Sequence, residues 1–294
     1  MTAAEEGVLL LCCKLGDEQA KPLTTARFRD LGLRVRAAMT GSDPLAELSV
    51  SDLLRLGYSK PDADQIVGLL DRQALLSQYL AAGERRGIVS ITRVSPAYPL
   101  RVSRHRQLSS PPALFAMGDL SLLKLPSVAV IGSRRLLPEN EVFARATGQR
   151  AAEEGFVLVS GNAAGADQTA QNACLEAGGS CIVFVADRLM DQRPHDRILY
   201  ISEDGYELPF SPARALHRNA LIHMQGEKVI AAQCTYGKGG TWEGCLDNLR
   251  HNWSPLFVFD DGTPGTRALI ERGATGIQVL TSIEHRAPSQ MTLF

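Results

Sequence analysis

Val128-Ala129-Val130-Ile131-Gly132-Ser133-Arg134-Arg135 is the stretch that decides the fold. Four apolar residues in a row, three of them β-branched, end abruptly in a glycine. A half-exposed strand would alternate apolar and polar residues, so an unbroken run predicts a strand buried on both faces. The pattern recurs downstream. Phe156–Val159 runs into Ser160-Gly161, and Cys181–Val185, Lys228–Ala232 and Leu256–Phe259 are further runs of the same kind. Helical stretches separate them at Glu141–Glu154, Asp167–Ala177 and Arg214–His223. Strands alternating with helices predict an α/β, doubly wound and mostly parallel sheet over residues 127–284. Such sheets bind ligands beyond the carboxyl ends of their strands. This chain places its glycines there.

Upstream, residues 1–90 read as a small helical accessory domain. Its segments are the apolar Val8–Leu15, the stretch Leu45–Leu56, and a single helix over Asp62–Ala82 carrying Ile66, Leu69, Leu70, Leu75, Leu76, Tyr79 and Leu80. Gly41, Asp43-Pro44, Gly57 and Lys60-Pro61 separate these segments. Residues 91–126 read as an extended connector marked by Pro96, Pro99, Pro111 and Pro112. It carries Arg101, Arg104, His105 and Arg106 with no acid before Asp119. Such a stretch is either a solvated basic linker or a strap that touches phosphate. Residues 285–294 read as a polar tail.

Composition narrows the function classes. The 294 residues carry 31 Lys and Arg against 32 Asp and Glu, a formal net charge of −1, so any polyanion surface must be local. A local excess exists: Ser95 to Arg145 holds seven Lys and Arg against three acids, whereas acids predominate from Thr147 onward. No apolar run approaches the roughly 20 residues that span a bilayer, and the apolar N-terminal run follows Glu5 and Glu6 rather than a basic start. A cytoplasmic location without membrane attachment is the resulting expectation. The six cysteines form no C-x-x-C pair and read as buried thiols, so neither a metal nor a cofactor is expected.

Three loops carry the residues with chemistry. In the first, Gly132 admits a close approach to backbone, Ser133 supplies a hydroxyl, and Arg134 and Arg135 supply guanidinium forks for phosphate oxygens. Neither G-x-G-x-x-G nor a Walker sequence is present. In the second, Ser160-Gly161-Asn162-Ala163-Ala164-Gly165-Ala166-Asp167, small residues leave N–H groups open at a helix start, where the dipole favours an anion. Asp167 suits a helix N-cap as well as a ligand contact. The third, Tyr236-Gly237-Lys238-Gly239-Gly240-Thr241-Trp242-Glu243-Gly244, suits a phosphate cradle in which Thr241 caps the following helix. There Trp242 is either a base-stacking ring or a core residue, and Glu243 either a catalytic acid or a charge complementing the helix dipole. A further cluster, Arg214, His217, Arg218 and Asn219, opens a helix. Its two arginines, four apart, share a face.

Taken in order, these stretches resemble the DprA/Smf family of DNA-processing proteins over about residues 90–280. Tyr98-Pro99 precedes the fold. Pro111, Pro112, Leu114, Phe115 and Gly118 are similar to the family's P-x-x-L-F-x-x-G segment, and Ile131-Gly132-Ser133-Arg134 to its VGxR loop. Ser160, Gly161, Ala163, Gly165 and Asp167 follow its SG-x-A-x-G-x-D spacing. Arg218-Asn219 matches its RN pair, and Ala268, Leu269, Ile270, Gly273 and Ala274 its A-L-I-x-x-G-A segment.

The resemblance implies an extended Rossmann-like domain that binds single-stranded DNA without catalysis, forms a homodimer and hands the strand to RecA in DNA uptake or recombination. A role in the response to foreign DNA fits the same features. The resemblance implies Gly132, Ser133, Arg134, Ser160, Gly161, Arg218 and Asn219 as site residues, with Arg134 the leading phosphate contact; the chemistry of the three loops adds Arg135, Asn162, Gly165, Asp167, Lys238, Gly239, Gly240 and Thr241 as candidates.

The sequence also departs from the family. Gln171 stands where histidine is usual, Ala220 follows Arg218-Asn219, and Lys238–Glu243 replaces the usual SG-S-x-x-T-A loop. The winged-helix domain of many members is expected to be absent. The replaced loop is similar to the PGG-x-GT-x-x-E loop of nucleotide-cleaving phosphoribohydrolases, though shorter by one residue on each side of the threonine. An alternative is therefore a sensor or hydrolase of a small nucleotide, with Glu243 and Asp167 as its candidate acids.

Overall fold

The structure is a computed structural model that describes residues 1–38, 48–104 and 110–283. The expected breakers at Gly41 and Asp43-Pro44, the start of the stretch at Leu45, His105 and Arg106 of the basic connector, and the polar tail lie outside the described residues. Among the described residues the strands are nine: β1 (Ile88–Thr92), β2 (Ala113–Met117), β3 (Ser127–Ile131), β4 (Val157–Ser160), β5 (Cys181–Phe184), β6 (Ile198–Glu203), β7 (Lys228–Ala231), β8 (Leu256–Phe259) and β9 (Thr275–Ile277). The helices that bear on the argument are α1 (Ala3–Cys12), α2 (Thr25–Ala38), α3 (Val50–Arg55), α4 (Lys60–Leu70), α5 (Gln73–Glu84), α6 (Leu100–Arg104), α7 (Pro138–Glu153), α8 (Ala166–Glu176), α9 (Pro212–Gln225), α10 (Gly239–His251) and α11 (Pro264–Glu271). Strand order is β1-β2-β6-β5-β4-β3-β7-β8-β9. The chain forms two compact units.

The first unit comprises Met1–Leu120, Val185–His195 and Tyr200–Arg214. Its α1 opens with a reciprocal cap, Thr2 with Glu5, and buries every residue from Gly7 to Cys12. The single helix expected over Asp62–Ala82 is two, α4 and α5, broken at Asp71-Arg72. The break has a clear cause. Arg72 turns its guanidinium onto the carbonyls of Leu10, Cys13 (2.9 Å) and Lys14 (3.2 Å), so it satisfies the open C-terminal end of α1. Residues 91–126, read as an extended connector, hold α6 and the wholly buried β2, which pairs antiparallel with β1 and with the Tyr200–Glu203 part of β6. Tyr79 stacks on Tyr206 at 4.3 Å, and both rings meet Phe115 edge-on. Arg214 is held inward: it donates to the carbonyls of Ala186 (3.2 Å) and Glu203 (3.0 Å) and to the Ser202 hydroxyl (2.9 Å).

The second unit comprises Ser121–Phe184, Asp196–Leu199 and the chain from Ala215 on. Here β3, β4 and β5 are buried at every residue, as unbroken apolar runs require, and neighbours from β5 through β9 run parallel wherever they pair. The chain winds from β3 outward through β4 to β5, then returns to β7 beside β3 and winds the other way through β8 to β9. The reversal puts a topological switch point between the carboxyl ends of β3 and β7. All six cysteines are buried and free. Among the described residues no group of three or more His, Cys, Asp or Glu is placed to hold a metal ion, and no helix is long and apolar enough to cross a membrane.

Candidate nucleic-acid interface

The loops after β3, β4 and β7 all leave carboxyl ends of the second unit's strands, and hydrogen bonds tie them together. Ser133 N–H donates to the carbonyl of Gln233 at 3.1 Å, while the Ser133 carbonyl accepts from Ala166 N–H at 3.2 Å. Thr241 Oγ1 donates to the Gly132 carbonyl at 2.9 Å. Asn219 Nδ2 reaches the Gly240 carbonyl at 3.4 Å. The structure therefore gathers Gly132, Ser133, Asn219, Gly240 and Thr241 at the switch point. Thr241 does not cap α10. That helix already begins at Gly239, its N-cap is Lys238, and the Lys238 side chain makes no capping hydrogen bond. The exposed Gly239 and Gly240 thus leave the positive end of a 13-residue helix open beside a lysine.

The second loop is built from inside. Asp167 is not the N-cap of α8, because that position falls to Gly165. Gly165 has φ 83°, and a Cβ there would lie 2.3 Å from the Ser133 carbonyl, so the tight passage between the two loops admits only glycine. Asp167, buried, instead accepts from Gly161 N–H at 2.9 Å and from Ala163 N–H, which cinches the loop from within. Burial pushes its carboxyl above the ordinary range, against the opposing pull of Arg218, of these two N–H groups and of Arg134. Arg218 is only 8% exposed and donates to the carbonyls of Gly161 and of Phe184 (2.9 Å). Its charge is spent within the protein. Ser160 is also turned inward and donates to Gln171 Oε1 at 2.9 Å. The glutamine thus satisfies a buried hydroxyl at the end of β4.

What this framework shows to solvent is basic: Arg134, Arg135 and Lys238 are exposed, while Asn162 is half-buried in the left-handed conformation with φ 57°. Trp242 is buried and Glu243 is exposed in the first turn of α10. Two positioning groups carried no sequence signal. Gln233 braces the first loop through its side chain, and Asn140 joins the Ala232 carbonyl (2.7 Å) to Asp261 (2.8 Å). Thr263 N–H and the Thr266 hydroxyl also donate to Asp261. These bonds hold that carboxyl below its ordinary range, despite a desolvation that acts the other way.

A doubly wound sheet with three interlocked loops at the carboxyl ends of its strands, and exposed arginine and lysine upon them, defines a Rossmann-like α/β protein with cations at that edge. The model of the family of DNA recombination-mediator protein A matches residues 89–287, and the chain belongs to that family. It is similar to the DNA processing protein DprA of Bacillus subtilis, 25% identical over 268 residues that cover 86% of this chain and 87% of the relative. It is also similar to DprA of Streptococcus pneumoniae, 30% identical over 196 residues that cover 60% and 68%. The X-ray structure of the Streptococcus pneumoniae protein superposes with a TM-score of 0.72 at 23% identity, over 94% of this chain and 95% of that one. A structure of the Helicobacter pylori protein, described as giving insight into its unique single-stranded DNA binding mode, superposes with a TM-score of 0.55 at 26% identity. It covers 65% of this chain and 91% of that one.

Proposed function

We propose that the carboxyl-edge loops of the second unit bind single-stranded DNA through its phosphates, without catalysis. The observation that carries this reading is the pairing of a rigid frame with exposed cations. Gly132, Ser133, Gln233 and Thr241 lock the loops together, and Arg134, Arg135 and Lys238 stand on them in solvent beside the open N-terminus of α10. Guanidinium and backbone N–H groups read a phosphate track without regard to sequence. The description of the Helicobacter pylori relative supports the choice of a single strand.

The acids fit poorly with hydrolysis. Asp167 Oδ2 is committed to Gly161 N–H in the interior, and Glu243 is an exposed first-turn residue. A place in DNA uptake, recombination or the response to foreign DNA, with a homodimer and a handover to RecA, belongs to the same proposal and rests on the family alone.

The test is a fluorescence-anisotropy titration of a labelled single strand at low and moderate salt, with AMP or ATP as competitor. Salt-sensitive binding that the nucleotide leaves intact is the expected result. Absence of strand binding, or displacement by micromolar nucleotide, overturns the reading in favour of a small-nucleotide ligand.

A further inference from the structure

The third loop presents an aromatic ring that phosphate binding does not use. Tyr236 is 55% exposed, the most accessible of the large aromatics there, whereas Trp242 is only 6% exposed. Trp242 therefore has no open face to offer a base. It serves as a floor instead: the Tyr236 ring stands against it at 5.1 Å and 62°, edge to face, and the Arg272 guanidinium covers the Trp242 ring at 5.5 Å. The Tyr236 backbone is fixed as well. At Gly265, in the first turn of α11, a Cβ would lie 2.2 Å from the Cys234 carbonyl oxygen and 2.9 Å from Tyr236 N, so the loop lies directly on that helix start. Lys238, two residues on, stands in solvent.

A large ring left in water at a switch point, yet braced at both backbone and ring, has lost most of its conformational freedom before any ligand arrives. Pre-ordering of that kind is what a stacking platform needs, because the entropy of immobilising the ring is already spent. We infer that Tyr236 is the surface on which a nucleobase of the bound strand stacks, with Lys238 placed for a neighbouring phosphate. The inference rests on the single-strand reading above and adds a base contact to it. Every nucleobase has a π-face, so the contact brings affinity with little sequence preference.

The experiment compares two labelled strands of equal length, one of thymidine nucleotides and one of abasic deoxyribose phosphates, against wild type, Tyr236→Leu and Tyr236→Phe. Wild type is expected to prefer the base-bearing strand. Tyr236→Leu is expected to bind that strand about tenfold more weakly, with abasic binding and salt slope as in wild type and a melting temperature lowered only slightly by the lost edge-to-face contact with Trp242. Tyr236→Phe should keep the preference. Undiminished preference in Tyr236→Leu, or an equal loss on both strands, overturns the role of Tyr236 and leaves phosphate binding standing. Failure of wild type to bind either strand overturns both readings.

Discussion

The side-chain amide of Gln233 grips the main chain at Arg135: Nε2 donates to the Arg135 carbonyl at 3.2 Å, and Oε1 accepts Leu137 N–H at 2.8 Å. The same residue's own carbonyl accepts from Ser133 N–H at 3.1 Å. One glutamine after β7 therefore sets the course of the loop that carries Arg134, and β3 and β7 are the strands that flank the switch point.

Replacement of Gln233 tests that frame. Gln233→Ala removes two hydrogen bonds and should cost about 1–3 kcal/mol of stability at roughly 1 kcal/mol each. It should also weaken single-strand binding several-fold while the salt slope holds, since every cation remains. Gln233→Glu keeps an acceptor for Leu137 N–H but sets a carboxylate oxygen against the Arg135 carbonyl and a negative charge beside the phosphate site, so it should weaken strand binding more than Gln233→Ala does. Melting curves and anisotropy titrations check both statements, and a Gln233→Ala protein with wild-type affinity would show that the loop needs no brace.

Arg134 gives the cleanest electrostatic test. It is exposed on the first loop, and the buried Asp167 that it faces keeps Arg218 and two N–H donors when it is removed. Arg134→Ala should weaken binding to all single strands alike and reduce the slope of log affinity against log salt by about 0.7, the release from one single-strand phosphate. Arg134→Lys should restore most of the slope but not the forked geometry. A slope unchanged in the alanine variant removes Arg134 from the interface.

Much of the second unit was legible because doubly buried strands leave unbroken apolar runs, and β3, β4, β5, β7 and β8 all fall within a residue or two of those runs. Other elements left weaker traces. Two prolines, which mark a turn rather than a strand, directly precede β2, and β9 has three residues, largely exposed. Helix α2 carries four arginines and buries only Leu31 and Val35, so no apolar stripe marks it. The loops of the candidate site were legible at their glycines and exposed cations. The candidate site was not legible at Arg218 or Gln233, because a pattern of letters cannot separate an arginine that binds phosphate from one that binds the carbonyls of Gly161 and Phe184. A lone glutamine likewise carries no period and no motif.

Two glycines separate backbone strain from steric exclusion. At Gly165 both apply, with φ 83° and the Ser133 carbonyl 2.3 Å from a built Cβ. At Gly237 φ is 67° and nothing lies within 4 Å. Gly237→Ala should therefore cost about 1–2 kcal/mol, the left-handed penalty alone. Gly165→Ala must also push the first and second loops apart, and should cost about 2–4 kcal/mol. Denaturant unfolding of the two variants checks the order, and equal losses would mean that the loops part without resistance.

His223 sets an acid limit on the fold. It is completely buried on α9, and burial alone pushes its pKa down to about 3 from an ordinary 6.5. Above pH 6.5 the imidazole is neutral whether the chain is folded or not, so the contribution to stability is fully present there. As pH falls below 6.5 the unfolded chain takes up a proton that the folded one refuses, and stability drops by about 1.4 kcal/mol per unit until pH nears 3. Between pH 7 and pH 5 the loss from this residue is about 2 kcal/mol. His223→Gln abolishes the titration, so its stability deficit relative to wild type should shrink over that interval, with other groups cancelling in the difference. Trp253, whose ring lies 6.3 Å from His223, gives a fluorescence signal for unfolding. A deficit constant from pH 7 to pH 5 would mean that the folded state admits the proton, through an opening of the end of α9 that the burial of Met224 and Gln225 beside it argues against.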